Sequence, residues 1–231
     1  MNEEIIDMFK DEDRLSALPD ALCCHILSFI ETKYAVRTSA LSTRWKTIWT
    51  SVPSLYFCNL NQTEKPKNDP GFFRFVIRVL LLHDSLDIPK FRIDCYCAKD
   101  NIADIDTWIR TVIRHNVVEL DLSLSTSLSY LHPFFKLPEC IFTCKTLQVL
   151  KLHSNSFTYR LPKSGRFPSL KFLQVTITGC YKCAMRDFNN LLSQLPILEH
   201  LIINLQGVVI FENFSLKDVG ILTNLKILRL I

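Results

Sequence analysis

Nine cysteines and six histidines are the side chains with most chemistry to offer, and one cysteine pair, Cys180-x-x-Cys183, has a spacing suited to metal or redox work. Structural zinc needs four ligands; no second pair of matching spacing follows, and Cys140 and Cys144, which would share a helical face, sit a repeat away. No metal and no cofactor is expected. An odd, irregular set of cysteines in a chain long enough to bury a core reads as buried free thiols rather than disulfides. His25, His83, His115, His132, His153 and His200 are scattered, with no carboxylate or nucleophile at local spacing. A Cys-His hydrolase would assemble in space rather than in sequence, and nothing in the spacing favours one. The five glycines are too dispersed to cradle phosphate, and no Walker, dinucleotide, HExxH or GxSxG phrase is present. A chain without catalytic residues is the expectation.

The elements that carry these residues are strongly apolar. The 231 residues are 48% hydrophobic and 22% charged, which excludes disordered and collagen-like classes. A formal net charge of +4 is too small to announce a nucleic-acid binder. Residues 1–13 form an acidic tail, with six acids against Lys10. The opening Met-Asn-Glu-Glu lacks the basic start and apolar core of a secretory signal. The longest apolar stretch, Phe72 to Leu82, contains Arg74 and Arg78, is far short of the roughly 18 residues of a membrane span, and reads as a buried helix. The expected location is cytoplasmic, nuclear or both, with neither membrane nor nucleic acid as partner.

Residues 14–60 read as short helices. Leu18, Leu22, Ile26 and Ile30 fall at steps of four, with Pro19 suited to a first turn. Cys23, Cys24 and Leu27 fill most of the remaining circumference, so this helix must be covered on nearly every side. A second helix is expected near Lys33 to Ala40. A third, opened by Ser42 as N-cap, carries Trp45, Ile48 and Trp49 at i, i+3 and i+4. So small a segment cannot easily hide that surface, which predicts a protein partner. A helix-turn-helix DNA reader is disfavoured, because tryptophans dominate the third helix.

The stretch DRLSALPDALCCHILSFIETKYAVRTSALSTRWKTIWTSVPSLYF resembles an F-box of the form common in plant F-box/leucine-rich-repeat proteins. The resemblance implies a three-helix module that docks on the Skp adaptor of a cullin-RING ubiquitin ligase. By position, it implies adaptor contacts at Leu18, Pro19, Leu22, Ile26, Leu27, Val36, Leu41, Arg44, Trp45 and Trp49. Cys23 and Cys24 stand where the family usually has leucines, Glu31 where it often has proline, and Tyr34 where it often has an acid.

Residues 61–71 are polar and proline-containing, as in a linker. From 72 to 231 one phrase, apolar-x-x-apolar-x-apolar, recurs: Ile88-Phe91-Ile93, Val117-Leu120-Leu122, Leu147-Leu150-Leu152, Leu170-Leu173-Val175, Leu198-Leu201-Ile203 and Leu225-Leu228-Leu230. Successive central residues, Phe91 to Leu228, lie 29, 30, 23, 28 and 27 positions apart, at or just above leucine-rich-repeat length. Helical patterns intervene, at Ala103 to His115 and around Phe188, Leu191, Leu192 and Leu195. The fold class expected is an α/β repeat: an N-terminal three-helix F-box followed by a leucine-rich-repeat solenoid of about six repeats, parallel strands on its concave face. Phrases such as FPSLKFLQV and LPILEHLII resemble the repeats of the same family, in its FBD-type branch, whose C-terminal FBD domain is apparently lacking. The last strand has no polar cap, which suggests a truncated product or an edge buried elsewhere.

Residues alternating with the core positions should line the concave surface. They include Arg92, Glu119, Asp121, Ser123, Lys151, His153, Gln174, Thr176, His200, Ile202, Asn204 and Arg229, a mixed set suited to gripping a protein through many modest contacts. The expected function is a non-catalytic substrate receptor of an SCF-type ligase: it joins an unidentified target to the Skp adaptor and, through it, to cullin and RING subunits. The alternative is a leucine-rich-repeat binding module acting outside ubiquitination, or a truncated competitor.

Overall fold

The computed structural model describes residues 17–60, 69–96, 101–125, 135–154, 157–158, 166–178, 191–192, 195–206 and 222–231. Helix α1 (Asp20–Leu27) starts directly after Pro19, which serves as its N-cap rather than lying in its first turn. Helix α2 (Thr32–Arg37) runs into a 3-10 turn at Thr38–Ala40, and α3 (Trp45–Ile48) into another at Trp49–Ser51. The N-cap of α3 is Arg44 rather than the expected Ser42, which lies two residues earlier, its Oγ accepting from the Trp45 N–H at 3.4 Å. Arg44 pins this segment to the start of α1: its Nε donates to Asp20 Oδ1 at 2.8 Å, and a second N–H donates to the Leu18 carbonyl.

The sheet starts earlier than the repeat phrase suggests. Strand β1 (Ser54–Cys58) pairs in parallel with β2 (Lys90–Tyr96), so the sheet begins within residues 14–60. Val52-Leu55-Phe57 is a seventh copy of the phrase, hidden inside the F-box resemblance, and all three residues are buried. Beyond it come β3 (Glu119–Ser125), β5 (Val149–Ser154), β7 (Phe172–Thr178), β8 (His200–Gln206) and β9 (Ile227–Leu230). The seven strands lie side by side in chain order, all parallel. Two short strands, β4 (Phe135–Lys136) and β6 (Phe157–Thr158), pair separately.

The strand entrances repeat one hydrogen-bonding device. Val118 and Glu119 both donate to the Pro89 carbonyl, Gln148 and Val149 to Val118, Lys171 and Phe172 to Gln148, Glu199 and His200 to Lys171, and Lys226 and Ile227 to Glu199. This satisfies buried backbone polar groups and locks the register. Register decides which side chains face out, since a slip by one residue would exchange the two faces.

Helices α4 (Pro70–Leu82), α5 (Ile102–Arg114) and α6 (Glu139–Thr143) occupy the connections. Asp69 caps α4 by accepting from the Gly71 N–H at 2.8 Å, so this helix begins two residues inside the expected linker. Phe72, Phe73, Val76, Val79 and Leu80 are buried, whereas Leu81 and Leu82 face solvent, so α4 is amphipathic rather than wholly buried. Helix α5 buries Ile105, Trp108, Ile109 and Val112. The chain is an α/β repeat with one continuous core running from Cys23 to Leu222.

The N-terminal helices share that core. Buried Thr32 accepts from the Tyr56 N–H at 2.8 Å, and the Asp84 N–H donates to the Thr50 carbonyl at 3.0 Å. His83, buried, presents Nε2 to the Val52 carbonyl at 3.0 Å, so that nitrogen carries the proton. Burial lowers this imidazole's pKa from its ordinary 6.5, partly opposed by the Val52 and Ser85 carbonyls. Between the lowered folded value and about pH 6.5 the folded chain therefore binds fewer protons there than the unfolded chain. Stability contributed by neutral His83 should be present above that pH and decline as pH falls toward the lowered folded value. Urea midpoints between about pH 7 and about pH 5 should show this fall, and His83→Gln, which keeps a donor for Val52, should make it shallower.

Candidate functional site

Two surfaces stand out. The first is on α1, which carries two adjacent apolar stripes about a third of a turn apart. Cys23 and Leu27 enter the core, while Leu22, Ile26 and Phe29, at i, i+4 and i+7, remain 49%, 47% and 74% exposed. Ile30, Tyr34 and Leu41, on the following turns and helix, are exposed as well. Tyr34 has the Lys33 ammonium 4.8 Å from its ring centroid. A solvent-facing cluster of large apolar side chains on short helices is suited to receiving another protein.

Residues expected to dock divide into two groups. Pro19, Leu22, Ile26 and Leu41 are exposed, and Leu18, Val36 and Arg44 are half-buried. Leu27, Trp45 and Trp49 are buried in this chain's own core. Their position makes them supports of the surface rather than parts of it. Phe29, Ile30 and Tyr34 were missed as surface residues, although continuing the Leu22, Ile26 stripe by one turn reaches Phe29.

The second surface is the outer face of the sheet. Phe91, Ile93, Leu120, Leu122, Leu150, Leu152, Leu173, Val175, Leu201 and Ile203 are buried, and the alternating residues form rows across the strands. One row reads Tyr56, Arg92, Asp121, Lys151, Gln174, Ile202 and Arg229; the next reads Cys58, Asp94, Ser123, His153, Thr176 and Asn204. A third runs through Lys90, Glu119, Val149, Phe172, His200 and Ile227. Every candidate from Arg92 to Arg229 therefore lies on one face. Tyr56 and Asp94 belong to it as well; β1 was not recognised, and Asp94 was passed over.

These side chains are knitted together. Glu119 takes Lys151 at 2.7 Å and Lys90 at 3.3 Å. Burial works to raise the Glu119 carboxyl, but the Lys151 hydrogen bond and the two lysine charges win and hold it below its usual range. Asp121 lies 3.7 Å from both the Arg92 Nε and the His153 Nε2, yet burial outweighs these neighbours and pushes its carboxyl up. His153 Nδ1 meets Thr176 Oγ1 at 2.8 Å, and Asn204 Nδ2 donates to the same oxygen at 3.4 Å. The Arg92 guanidinium sits 4.5 Å over the Tyr56 ring. Burial, with the neighbouring Cys58 thiol next in effect, pushes that phenol up to about 12.

The family model of the F-box domain matches residues 15–57, and that of the leucine-rich repeats of the FBD-associated F-box protein At5g56370 matches residues 105–227. The chain belongs to the F-box/leucine-rich-repeat family. It is 37% identical over 224 residues to the F-box/LRR-repeat protein At3g59200 of Arabidopsis thaliana, which covers 93% of this chain and 40% of that protein. It is 35% identical over 194 residues to the putative FBD-associated F-box protein At3g50710 of the same plant, with 83% and 44% covered. With the Arabidopsis F-box/LRR-repeat protein At3g58900 it shares 35% identity over 196 residues, with 82% and 57% covered. The chain spans about half the length of the curated relatives it matches.

Two of the described thiols of this F-box/LRR chain, Cys24 and Cys140, are poorly suited to nucleophilic work. Burial raises the pKa of Cys24, whose Sγ donates to the Ile48 carbonyl at 3.4 Å, and that of Cys140. Cys144 is buried at the C-terminal end of α6, its Sγ 3.3 Å from Thr146 Oγ1. Cys180 and Cys183 lie outside the described residues. Among the described residues no three His, Cys, Asp or Glu side chains converge as metal ligands, and no helix is long and apolar enough to cross a membrane.

Proposed function

We propose that this chain is a non-catalytic substrate receptor of an SCF-type cullin-RING ubiquitin ligase. The N-terminal helices form a three-helix F-box over residues 14–60 that holds a Skp adaptor, and the adaptor links it to cullin and RING subunits. The repeats form a solenoid whose outer, concave sheet face holds a target protein. Proximity then substitutes for chemistry, because holding the target near a ubiquitin-charged enzyme raises effective concentration without any reactive group from this chain. The observation that carries the reading is the exposed stripe of Leu22, Ile26 and Phe29 inside the segment matched as an F-box.

Leu18, Pro19, Val36, Leu41 and Arg44 would surround that stripe at the adaptor interface, with Leu27, Trp45 and Trp49 bracing it from within. On the sheet, Arg92, Glu119, Asp121, Lys151, His153, Gln174, His200, Asn204 and Arg229 would share target contact. Co-expression of the full chain with a Skp adaptor, followed by gel filtration, should give a single complex of one copy of each. Elution of a well-folded chain separately from the adaptor would refute the reading.

A further inference from the structure

We propose that the target-holding face of the receptor reading above, on which this inference rests, accepts an extended peptide that is acidic at one end and bulky-apolar at the other. The charges on the face are nearly balanced in number but not in depth. The Glu119, Asp94 and Asp121 side chains are 24%, 20% and 14% exposed, whereas those of Lys90 and Arg92 are 63% and 51% exposed. Each acid is overlaid by a cation: Lys90 reaches Glu119, and Arg92 reaches both Asp94 and Asp121. Half-buried carboxylates beneath and exposed cations above, both on β2, direct positive potential outward over β2 and its neighbour β3.

Farther along, the same face changes character. Phe172 stacks on the His200 ring at 6.1 Å, and Ile202 and Ile227 stand beside them where earlier strands carry charge. Arg92 and Ile202 share one row, joined in register through Asp121, Lys151 and Gln174. Four strand steps of about 4.8 Å separate them by about 19 Å, the reach of about six residues of extended chain. A ligand crossing the strands with acids some six residues from an apolar side chain would meet both regions at once. The aliphatic share of the second region favours a peptide over a single-stranded nucleic acid, whose bases need aromatic platforms.

The test is fluorescence anisotropy with the full chain and labelled decapeptides carrying two glutamates, a Gly/Ser spacer and a Phe-Leu pair, in both chain orders. Controls replace the glutamates by lysines or the Phe-Leu pair by alanines, and a ten-nucleotide oligouridine serves as a competing ligand. At least one order of the acidic-apolar peptide should bind, weakening as salt is raised, and either control peptide should bind about 10-fold or more weakly. Lys90→Gln should weaken binding chiefly at low salt and Ile202→Ser at all salt concentrations; edge-strand Ile227→Ser serves if Ile202→Ser lowers the melting temperature. Equal binding of the lysine peptide, oligouridine binding with the same sensitivity to these variants, or no peptide binding would each overturn the proposal. Skp adaptor capture is measured on the same preparations. Capture without acidic-peptide binding overturns this inference and leaves the receptor reading standing, whereas specific peptide binding without capture supports the inference and overturns that reading.

Discussion

Replacing Leu22 and Ile26 together by aspartate is expected to abolish capture of the chain by a Skp adaptor while leaving its melting temperature within a few degrees of the parent. Both side chains are about half exposed and project from the solvent-facing stripe of α1, beside the stripe of the buried Cys23 and Leu27. An introduced carboxylate at either position remains solvated in the free chain, so folding is spared. In a docked complex the same carboxylates would be buried without partners, at a cost of several kcal/mol each, enough to remove any ordinary affinity. Leu27→Ala provides the contrast. It opens a cavity beneath the stripe and should cost about 2–5 kcal/mol of stability, with binding lost only as far as the fold is lost. Pull-down and thermal denaturation on the same samples separate the two effects. Trp45→Ala would be a poor probe for the same reason: Trp45 is buried, and its loss would confuse docking with unfolding.

Trp108→Ala is expected to be the most damaging single truncation in the repeats, at about 3–5 kcal/mol, lowering the melting temperature by about 10 °C for a chain of this size. The ring is 1% exposed in α5, stacked at 5.1 Å on Phe73 and edge-on at 6.3 Å to Phe72, so it joins α5 to α4 behind the first strands. Among the described residues its buried indole nitrogen has no hydrogen-bond partner. Trp108→Phe therefore sacrifices volume but no hydrogen bond, and should cost clearly less than the alanine variant in chemical denaturation. An equal cost for the two would mean that the aromatic stack contributes little.

The repeat strands were legible because a period-2 alternation within a unit recurring every 23 to 30 residues leaves few alternatives. The same alternation placed Glu119, Asp121, Lys151 and His153 on one face without any knowledge of their contacts. Strand β1 escaped because Val52, Leu55 and Phe57 follow so closely on Trp49 that they read as the tail of the helical segment. The depth of each charge was not legible either: sequence counts Lys90 and Asp121 as equal and opposite, and only their packing shows one projecting outward and the other sunk below. On α1 both stripes are apolar, so pattern alone could not say which of Leu22 and Leu27 turns inward. The core formed with Trp45, Ile48 and Trp49 decides that. It also shows that the N-terminal helices need no partner to cover their inner side, since the chain's own sheet completes it. What still calls for a partner is the outer stripe.

Hydrogen-deuterium exchange of the full chain, with and without a saturating Skp adaptor, tests the central claim most directly. Adaptor binding should slow exchange across residues 17–41, around Leu22, Ile26 and Leu41, and leave β2 to β8 unchanged and free for a target. Protection falling on the sheet, or no protection anywhere in a folded chain, would contradict the division of labour between helices that dock and strands that display.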